Sequence, residues 1–210
     1  MKFPIAAVLA FGTAAAAQAA TYTLETNYTQ AVFRWDHLGF SNPAAQLAQG
    51  AGRLEFDAMN PALSRVEVTF PLSTLATGVP DLDEHLKSED FFEVAKYPTA
   101  TFTSTKVEAG MGAGRFKVAG NLTLHGITRP VTLEATLLKT GNNARTGVAS
   151  VGFNATATIK RSEFGLGDFV PQVSDAVRIE VTTQGAEAKA LAAYRQKQEE
   201  EKKKEAAGKK

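Results

Sequence analysis

The sequence has no cysteine among its 210 residues, one tryptophan and almost no net charge. The absence of cysteine excludes a disulfide-stapled scaffold, a thiolate zinc site, a cysteine nucleophile and an iron–sulfur cluster. The formal net charge is +1, without the excess of basic residues that is typical of nucleic-acid-binding proteins, so no nucleic-acid partner is expected. Hydrophobic residues make up 44% of the chain and charged residues 21%, which indicates a globular protein of one domain rather than a disordered one.

The one long apolar run lies at the N-terminus. Residues Pro4 to Ala17 are apolar or small, and Ala17-Gln18-Ala19 has the A-x-A form of a cleavage site. The run is shorter than the roughly 20 residues that a membrane-spanning helix needs. We therefore predict that residues 1–19 are a secretory signal peptide, that the mature chain begins at Ala20 or Thr21, and that the protein is periplasmic.

The C-terminal 25 residues, 186–210, form a tail that is almost wholly Ala, Glu, Lys, Gln and Arg, with eight basic and five acidic side chains. Its composition favours a helix, although a disordered tail fits equally well. Leu191 and Tyr194 do not recur as a heptad, so no coiled coil is expected. The tail offers so little apolar surface that we expect it to stay solvated beside the folded core.

Between Thr21 and Gly185 the dominant period is two, which is typical of strands with one apolar and one polar face. Short turn signals separate the runs and indicate antiparallel neighbours. We predict about eight antiparallel strands that close into a barrel or fold over as a sandwich. The apolar phases are Phe33/Trp35/His37, Leu54/Phe56, Val66/Val68/Phe70, Phe116/Val118, Leu122/Leu124, Val131/Leu133/Ala135/Leu137, Phe153/Ala155/Ala157/Ile159 and Val177/Ile179/Val181.

One connection, Pro71 to Pro98, is much longer than the others. Asp81 with Glu84 three residues later has the form of a capping box directly after a proline. Leu82 and Leu86 then share one face of a short helix. We predict one helical insertion in an otherwise all-β fold.

Three groups of residues resemble the signature of the YceI-like family, in the same order along the chain. They are Ser88–Pro98 with Ala100–Thr105, Gly120–Leu133, and Ile159–Leu166 with Val173–Val177. The resemblance spans about Thr21 to Gly185 and implies an exported bacterial protein with an extended, lipocalin-like antiparallel β-barrel that holds a polyisoprenoid chain. Lys160 and Glu163 stand where the family commonly has Asp, and the tail is an addition.

This resemblance implies a ligand tunnel inside the barrel, whereas composition alone fits a barrel filled by its own aromatic side chains. The predicted lining shares the apolar phase of each strand: Phe33, Trp35, Phe56, Val68, Phe70, Phe102, Leu122, Leu124 and Phe153. The long connection and a second irregular segment, 164–169, either form a gate or merely plug the barrel ends. The predicted gate side chains are Leu82, Leu86, Phe91, Phe92, Phe164 and Phe169.

The three histidines, His37, His85 and His125, form no tight ligand pair, so no metal site is predicted. Nor does the sequence contain a nucleophile elbow or a phosphate-binding loop, and we predict a binding protein rather than an enzyme. The expected partner is an isoprenoid lipid or isoprenoid quinone, held without a further cofactor. A transient membrane contact and a homodimer stay open. The alternatives are a stress-related protein that binds a smaller amphipathic ligand, and an interaction module with a filled barrel.

Overall fold

The computed structural model describes residues 19–208, so the predicted signal peptide lies outside the described residues apart from Ala19. Ten strands and two helices make up most of this part of the chain. In chain order they are β1 (Ala20–Leu24), β2 (Gln30–Arg34), β3 (Ala44–Leu47), β4 (Ala51–Phe56), β5 (Arg65–Pro71), α1 (Pro80–Lys87), β6 (Thr99–Ala109), β7 (Arg115–Leu124), β8 (Ile127–Asn142), β9 (Ala149–Lys160), β10 (Ala176–Glu187) and α2 (Ala188–Gly208).

The ten strands form one closed antiparallel sheet that behaves as an eight-stranded barrel. β1 and β2 both pair with β10, through Leu24↔Gly185 and Gln30↔Thr182, so they act as two halves of one strand. β3 and β4 form a second broken strand, because β3 pairs with β2 while β4 pairs with β1. The predicted antiparallel barrel of about eight strands is therefore confirmed, and pairing of the first strand with the last closes it.

The two breaks lie side by side and are joined by a backbone hydrogen bond. Gly50 N–H donates to the carbonyl of Thr29 at 3.0 Å. Thr29 is only 1% exposed, and its hydroxyl lies 2.8 Å from that of Thr183 on β10. A side chain at Gly50 would collide with the rings of Phe70 and the methyl of Thr29, so glycine permits this close approach.

Side chains alternate between the barrel interior and solvent along each strand, as the period of two predicts. On β6, Ala100, Phe102 and Ser104 are buried, and a bulge between Ser104 and Lys106 then reverses the phase so that Val107 is buried. The bulge keeps both halves of this 11-residue strand facing the interior.

Connections alternate between two ends of the barrel. We call the end with residues 35–43, 72–98 and 161–175 the upper end, and the end with residues 57–64, 110–114 and 143–148 the lower end. The long connection 72–98 carries α1 and is referred to below as the flap. The lower connections are short, and α2 leaves the barrel at that end.

Helix α1 confirms the predicted insertion but not its predicted cap. The helix begins at Pro80, Val79 occupies the N-cap position, and no side chain caps it. Proline favours the first helical position because its fixed φ is helical and it has no N–H to satisfy, so Asp81 falls one residue inside the helix. Asp83 instead accepts hydrogen bonds from the backbone N–H and the hydroxyl of Thr77, at 2.6 and 2.5 Å.

The tail is helical and is attached to the barrel more closely than its composition indicates. β10 continues to Glu187, and Ala186 pairs with Thr23 of β1, so the barrel extends past the predicted boundary at residue 185. Leu191 is only 6% exposed and packs against Val148 and Ala186. The expectation that the whole tail is solvated is wrong, because one leucine suffices to dock its first turn. Neither helix within residues 19–208 has both the length and the apolar character needed to cross a membrane.

Candidate functional site

An elongated cavity of about 630 Å³ occupies the interior of the barrel. It passes between two clusters of buried hydrophobic side chains, one towards each end, that share Val68, Leu122 and Val131 as partly buried neighbours. All nine side chains predicted as lining contribute to its wall: Phe33, Trp35, Phe56, Val68, Phe70, Phe102, Leu122, Leu124 and Phe153. Their contact with a ligand stays a prediction.

Three phenylalanines pack together towards the lower end of the cavity. Phe56 meets Phe153 at a centroid distance of 5.1 Å and Phe116 at 5.6 Å, both nearly perpendicular, and Phe116 lies 6.2 Å from Phe153. Edge-to-face contacts of this kind are favourable beyond simple burial. All three rings line the cavity, so this aromatic cluster forms part of its wall towards the lower end.

The flap covers the upper end of the cavity. Leu82, Leu86, Phe91 and Phe92 all contribute to the cavity wall, as the predicted gate requires. The Phe92 ring meets Phe33 of the barrel edge-on at 6.2 Å. Packing of apolar side chains thus holds the α1 part of the flap over the mouth. The start of the flap is anchored to β3, because Ala76 and Gln46 exchange two backbone hydrogen bonds of 2.8 and 3.0 Å.

The second predicted gate segment behaves differently at its two phenylalanines. Phe169 lines the cavity and is 64% exposed, so it lies at the mouth. Phe164 is fully buried and does not line the cavity, so the structure does not bring it to the mouth beside Phe169, and its part in a gate stays a prediction. Its carbonyl accepts a hydrogen bond from His125 Nδ1 at 3.1 Å, and Gly165 turns the chain in the left-handed region, which fixes the Phe164 ring within the upper hydrophobic cluster.

Comparison with known proteins assigns this fold to a family, because the profile of the YceI-like domain matches residues 22–185. The chain belongs to the YceI-like family. A UPF0312 protein of Pseudomonas paraeruginosa is 37% identical over 185 residues, which cover 85% of this chain and 95% of that protein. The resemblance seen in the three sequence motifs is therefore confirmed.

Solved structures agree on the fold. The YCEI protein of Campylobacter jejuni superposes with a TM-score of 0.65 at 26% identity, covering 73% of this chain and 90% of the other. A polyisoprenoid binding domain from Saccharophagus degradans gives a TM-score of 0.59 at 16% identity, covering 80% of this chain and 98% of that domain. At 16% identity the second likeness shows the fold alone.

Polar groups of this YceI-like chain gather at the cavity mouth, and the lining prediction missed them. His37, His85, Arg161, Asp168 and Gln172 all reach the cavity wall near the upper end. A pattern of alternating apolar residues gives no signal for them, because the long connections, rather than the strands, supply most of them. Ser64 and Arg65 also reach the cavity wall, at the lower end, and Thr29 and Thr183 reach it between the ends. The YceI-like cavity is thus predominantly apolar, with its largest group of polar side chains at the mouth, and it can accept a hydrocarbon chain with a polar head.

Arg161 is the most firmly held of these polar side chains. Although only 5% exposed, its guanidinium donates to the carbonyls of Ser174 at 2.9 Å, Asp168 at 2.8 Å and Val173 at 3.1 Å, and also to that of Leu166. Burial lowers the pKa of Arg161, while the nearby Asp175 and Asp168 oppose that shift. The bonds bind residues 166–174 into one rigid loop beside the mouth.

The three histidines lie in separate environments. His37 forms a backbone bridge with Val173, and the His85 ring lies 5.9 Å from that of Phe91. His125 Nε2 lies 3.8 Å from Glu93 of the flap, in addition to its bond to the Phe164 carbonyl. Within residues 19–208 no three potential ligands come together as a metal site.

Proposed function

We propose that this protein holds a long isoprenoid chain, of the polyprenyl or isoprenoid-quinone type, inside its barrel and serves to transport, store or buffer that lipid in the periplasm. The observation that carries the proposal is the apolar cavity of about 630 Å³ with its polar mouth. A slender hydrocarbon fits an eight-stranded barrel of this kind. The polyprenyl or quinone head would lie at the mouth, beside Arg161 and His85.

Energetics favour a reversible carrier. Burial of one CH₂ from water contributes about 0.8 kcal/mol, so a chain of about 40 carbons nominally gains about 30 kcal/mol. That sum exceeds the ceiling of roughly 18–21 kcal/mol for non-covalent complexes. The lipid, however, leaves a bilayer rather than water, and lipid tails are as apolar as Leu and Phe side chains. The net preference for the barrel is therefore small, which suits exchange and opposes irreversible capture.

Two further observations support the proposal. The polyisoprenoid binding domain from Saccharophagus degradans has the same fold. The apolar run and A-x-A site of residues 1–19 have the form of a signal peptide, which is consistent with export.

Mass spectrometry tests the proposal. Protein purified from the native host's periplasmic fraction should yield an isoprenoid lipid in an organic extract, and its intact mass should correspond to a chain that begins at Ala20 or Thr21. Phe102→Asn, which places an amide in the cavity, should lower the lipid content severalfold. Thr103→Asn on the outward face of the same strand should leave it unchanged. Val68→Thr provides a milder inward change that keeps side-chain volume, should Phe102→Asn fail to fold.

A smaller amphipathic ligand is the second candidate. The cavity volume lies within the roughly 300–1,000 Å³ range of drug-sized sites, and the clustered polar groups at the mouth could orient a compact head group. An extract that contains a short amphiphile and no isoprenoid would favour this alternative. An extract without either, from protein with an intact cavity, would contradict both.

A further inference from the structure

Large apolar side chains project into solvent around the mouth of the cavity. Phe40 is 90% exposed, Phe169 64%, Val79 53%, Leu38 50% and Val170 36%. They come from three separate connections, 35–43, 72–98 and 161–175, all at the upper end. We call these five side chains the apolar rim. Single exposed hydrophobic residues are common, but a group from three loops at one end of a barrel marks an interaction site.

The two main loops of the apolar rim are held in place by each other. Leu38 N–H donates to the carbonyl of Gln172 at 3.1 Å, and Ser174 N–H donates to that of Asp36 at 3.0 Å. Leu38 and Phe169 both have left-handed backbones, with φ of 59° and 64°. Such a conformation costs free energy for a residue other than glycine, and here it presents an apolar side chain to water. The strained backbone and the exposed apolar side chain are both unfavourable in the isolated protein. Their occurrence together indicates that these residues contact a partner.

The apolar rim is continuous with the cavity. Leu38 and Phe169 contribute to the cavity wall and are also exposed, so they connect the interior to the outer surface. The lower end lacks this continuity, because its exposed Met59, Leu63 and Met111 do not line the cavity. A hydrocarbon chain that leaves through the upper end can therefore remain in contact with apolar side chains from the cavity to the apolar rim.

Charge at the upper end selects the kind of partner. The connections 35–43, 72–98 and 161–175 contain ten Asp and Glu residues against three Lys and Arg residues. An acidic surround repels an anionic lipid surface, and it also repels a second copy of the same end. A zwitterionic lipid surface fits both features, since it accepts inserted apolar side chains and presents no net charge.

We propose that the apolar rim inserts into the headgroup region of a zwitterionic bilayer and thereby places the cavity mouth against the membrane. This inference rests on the proposed lipid-carrying function, which supplies its purpose. Insertion gives the lipid an apolar path from bilayer to barrel, past Phe169 and Leu38 and under the flap. The basic tail leaves the opposite end and takes no part in this contact.

Vesicle flotation with the full mature chain tests the proposal. Phosphatidylcholine/phosphatidylethanolamine vesicles should bind the wild-type protein, and binding should persist in 0.5 M salt. Phe40→Ser with Phe169→Ser should weaken partitioning by about a hundredfold, since burial of each phenylalanine is worth roughly tenfold or more. The matched control, Met59→Ser with Met111→Ser, removes two exposed apolar side chains from the lower end and should bind like wild type. Added phosphatidylglycerol should weaken binding at low salt.

Equal loss in the rim and control variants, or binding that requires phosphatidylglycerol and disappears in salt, would overturn the proposal. A wild-type dimer that the rim variant converts to a monomer would assign the surface to a second copy instead. Absence of any vesicle binding would also overturn the proposal and would favour a protein partner for the apolar rim. Extraction of lipid from the same samples separates the two proposals. Phe40→Ser alone, at a side chain that does not line the cavity, should weaken vesicle binding and still retain bound lipid. A wild-type protein without lipid would contradict the carrier function while leaving vesicle binding to be judged separately.

Discussion

The two ends of the barrel share a sheet but differ in almost every other respect. At the lower end, the connections are short and Phe56, Phe116 and Phe153 pack edge to face in the cavity wall. At the upper end, the flap and the loop held by Arg161 cover a mouth that carries polar groups and exposed phenylalanines. The lower end is built like a protein core, whereas the upper end is built like an interface.

This difference shows how a small barrel combines stability with access. Backbone pairing around the whole circumference stabilises the wall, so no ligand can pass between strands. Access must therefore be provided where connections, rather than ladders, close the fold. The α1 part of the long connection packs through side chains, such as Phe92 on Phe33, and can separate without breaking the sheet, while the backbone bonds between Ala76 and Gln46 anchor the start of the connection.

The largest effect is expected from Phe70→Asp, which places an unpaired charge in the upper cluster. Phe70 is 7% exposed and lines the cavity, so the variant should lose several kcal/mol, on the order of 4 or more, and its bound lipid. Chemical denaturation and lipid extraction measure both losses. Phe70→Leu, which stays apolar, should retain lipid and lose far less stability; a stable Phe70→Asp protein that keeps its lipid would contradict the cavity assignment.

Phe92→Ala should loosen the upper end specifically. Removal of a buried ring costs about 3–5 kcal/mol of stability, and loss of its contact with Phe33 should speed lipid exchange with vesicles severalfold. Val151→Ala is the control at the lower end, because Val151 is buried but does not line the cavity. Exchange that is unchanged in Phe92→Ala would exclude the flap as the gate.

The tail provides a smaller test, at the lower end. Truncation after Glu187 removes buried Leu191 and should cost about 2–3 kcal/mol. At roughly 2–4 °C per kcal/mol, the melting temperature should fall by on the order of 5–10 °C. Truncation after Tyr194 keeps the docked turn and should change it by about 2 °C or less. Equal melting temperatures for the two truncations would show that Leu191 adds nothing.

The smallest effect on stability is expected from lowering the pH, which protonates Asp83 at the start of the flap. Hydrogen bonds from the hydroxyl and N–H of Thr77 lower the pKa of Asp83, and the charge of Lys87 adds to them. Because the folded-state pKa lies below the ordinary value of about 3.9, this contact stabilises the fold fully above that value and is lost as pH falls through the lowered pKa. The melting-temperature advantage of wild type over Asp83→Asn should therefore shrink between pH 5 and pH 3. A constant difference would contradict the assignment.

Local sequence rules predicted much of the wall and of the cavity. Alternation placed Phe102, Leu122 and Phe153 on the inner face, because a strand that is buried on one side exposes every second residue to that side. Alternation does not hold beyond Ser104, where a bulge turns Val107 inward. A bulge is defined by the register between two paired strands, so one strand's sequence does not reveal it. Pro80 could have identified the helix start, since proline favours the first helical position.

What the sequence determined by itself is the set of strands, their apolar faces and the presence of a long helical connection, all of which depend on residues near one another in the chain. Tertiary structure alone decided the closure of β1 and β2 on β10, the burial of Phe164 beside an exposed Phe169, the docking of Leu191 and the meeting of residues 36–38 with 172–174. Each of these contacts joins segments that only the closed barrel brings together. Their free energy depends on which surfaces face each other across the fold, and no local pattern contains that information.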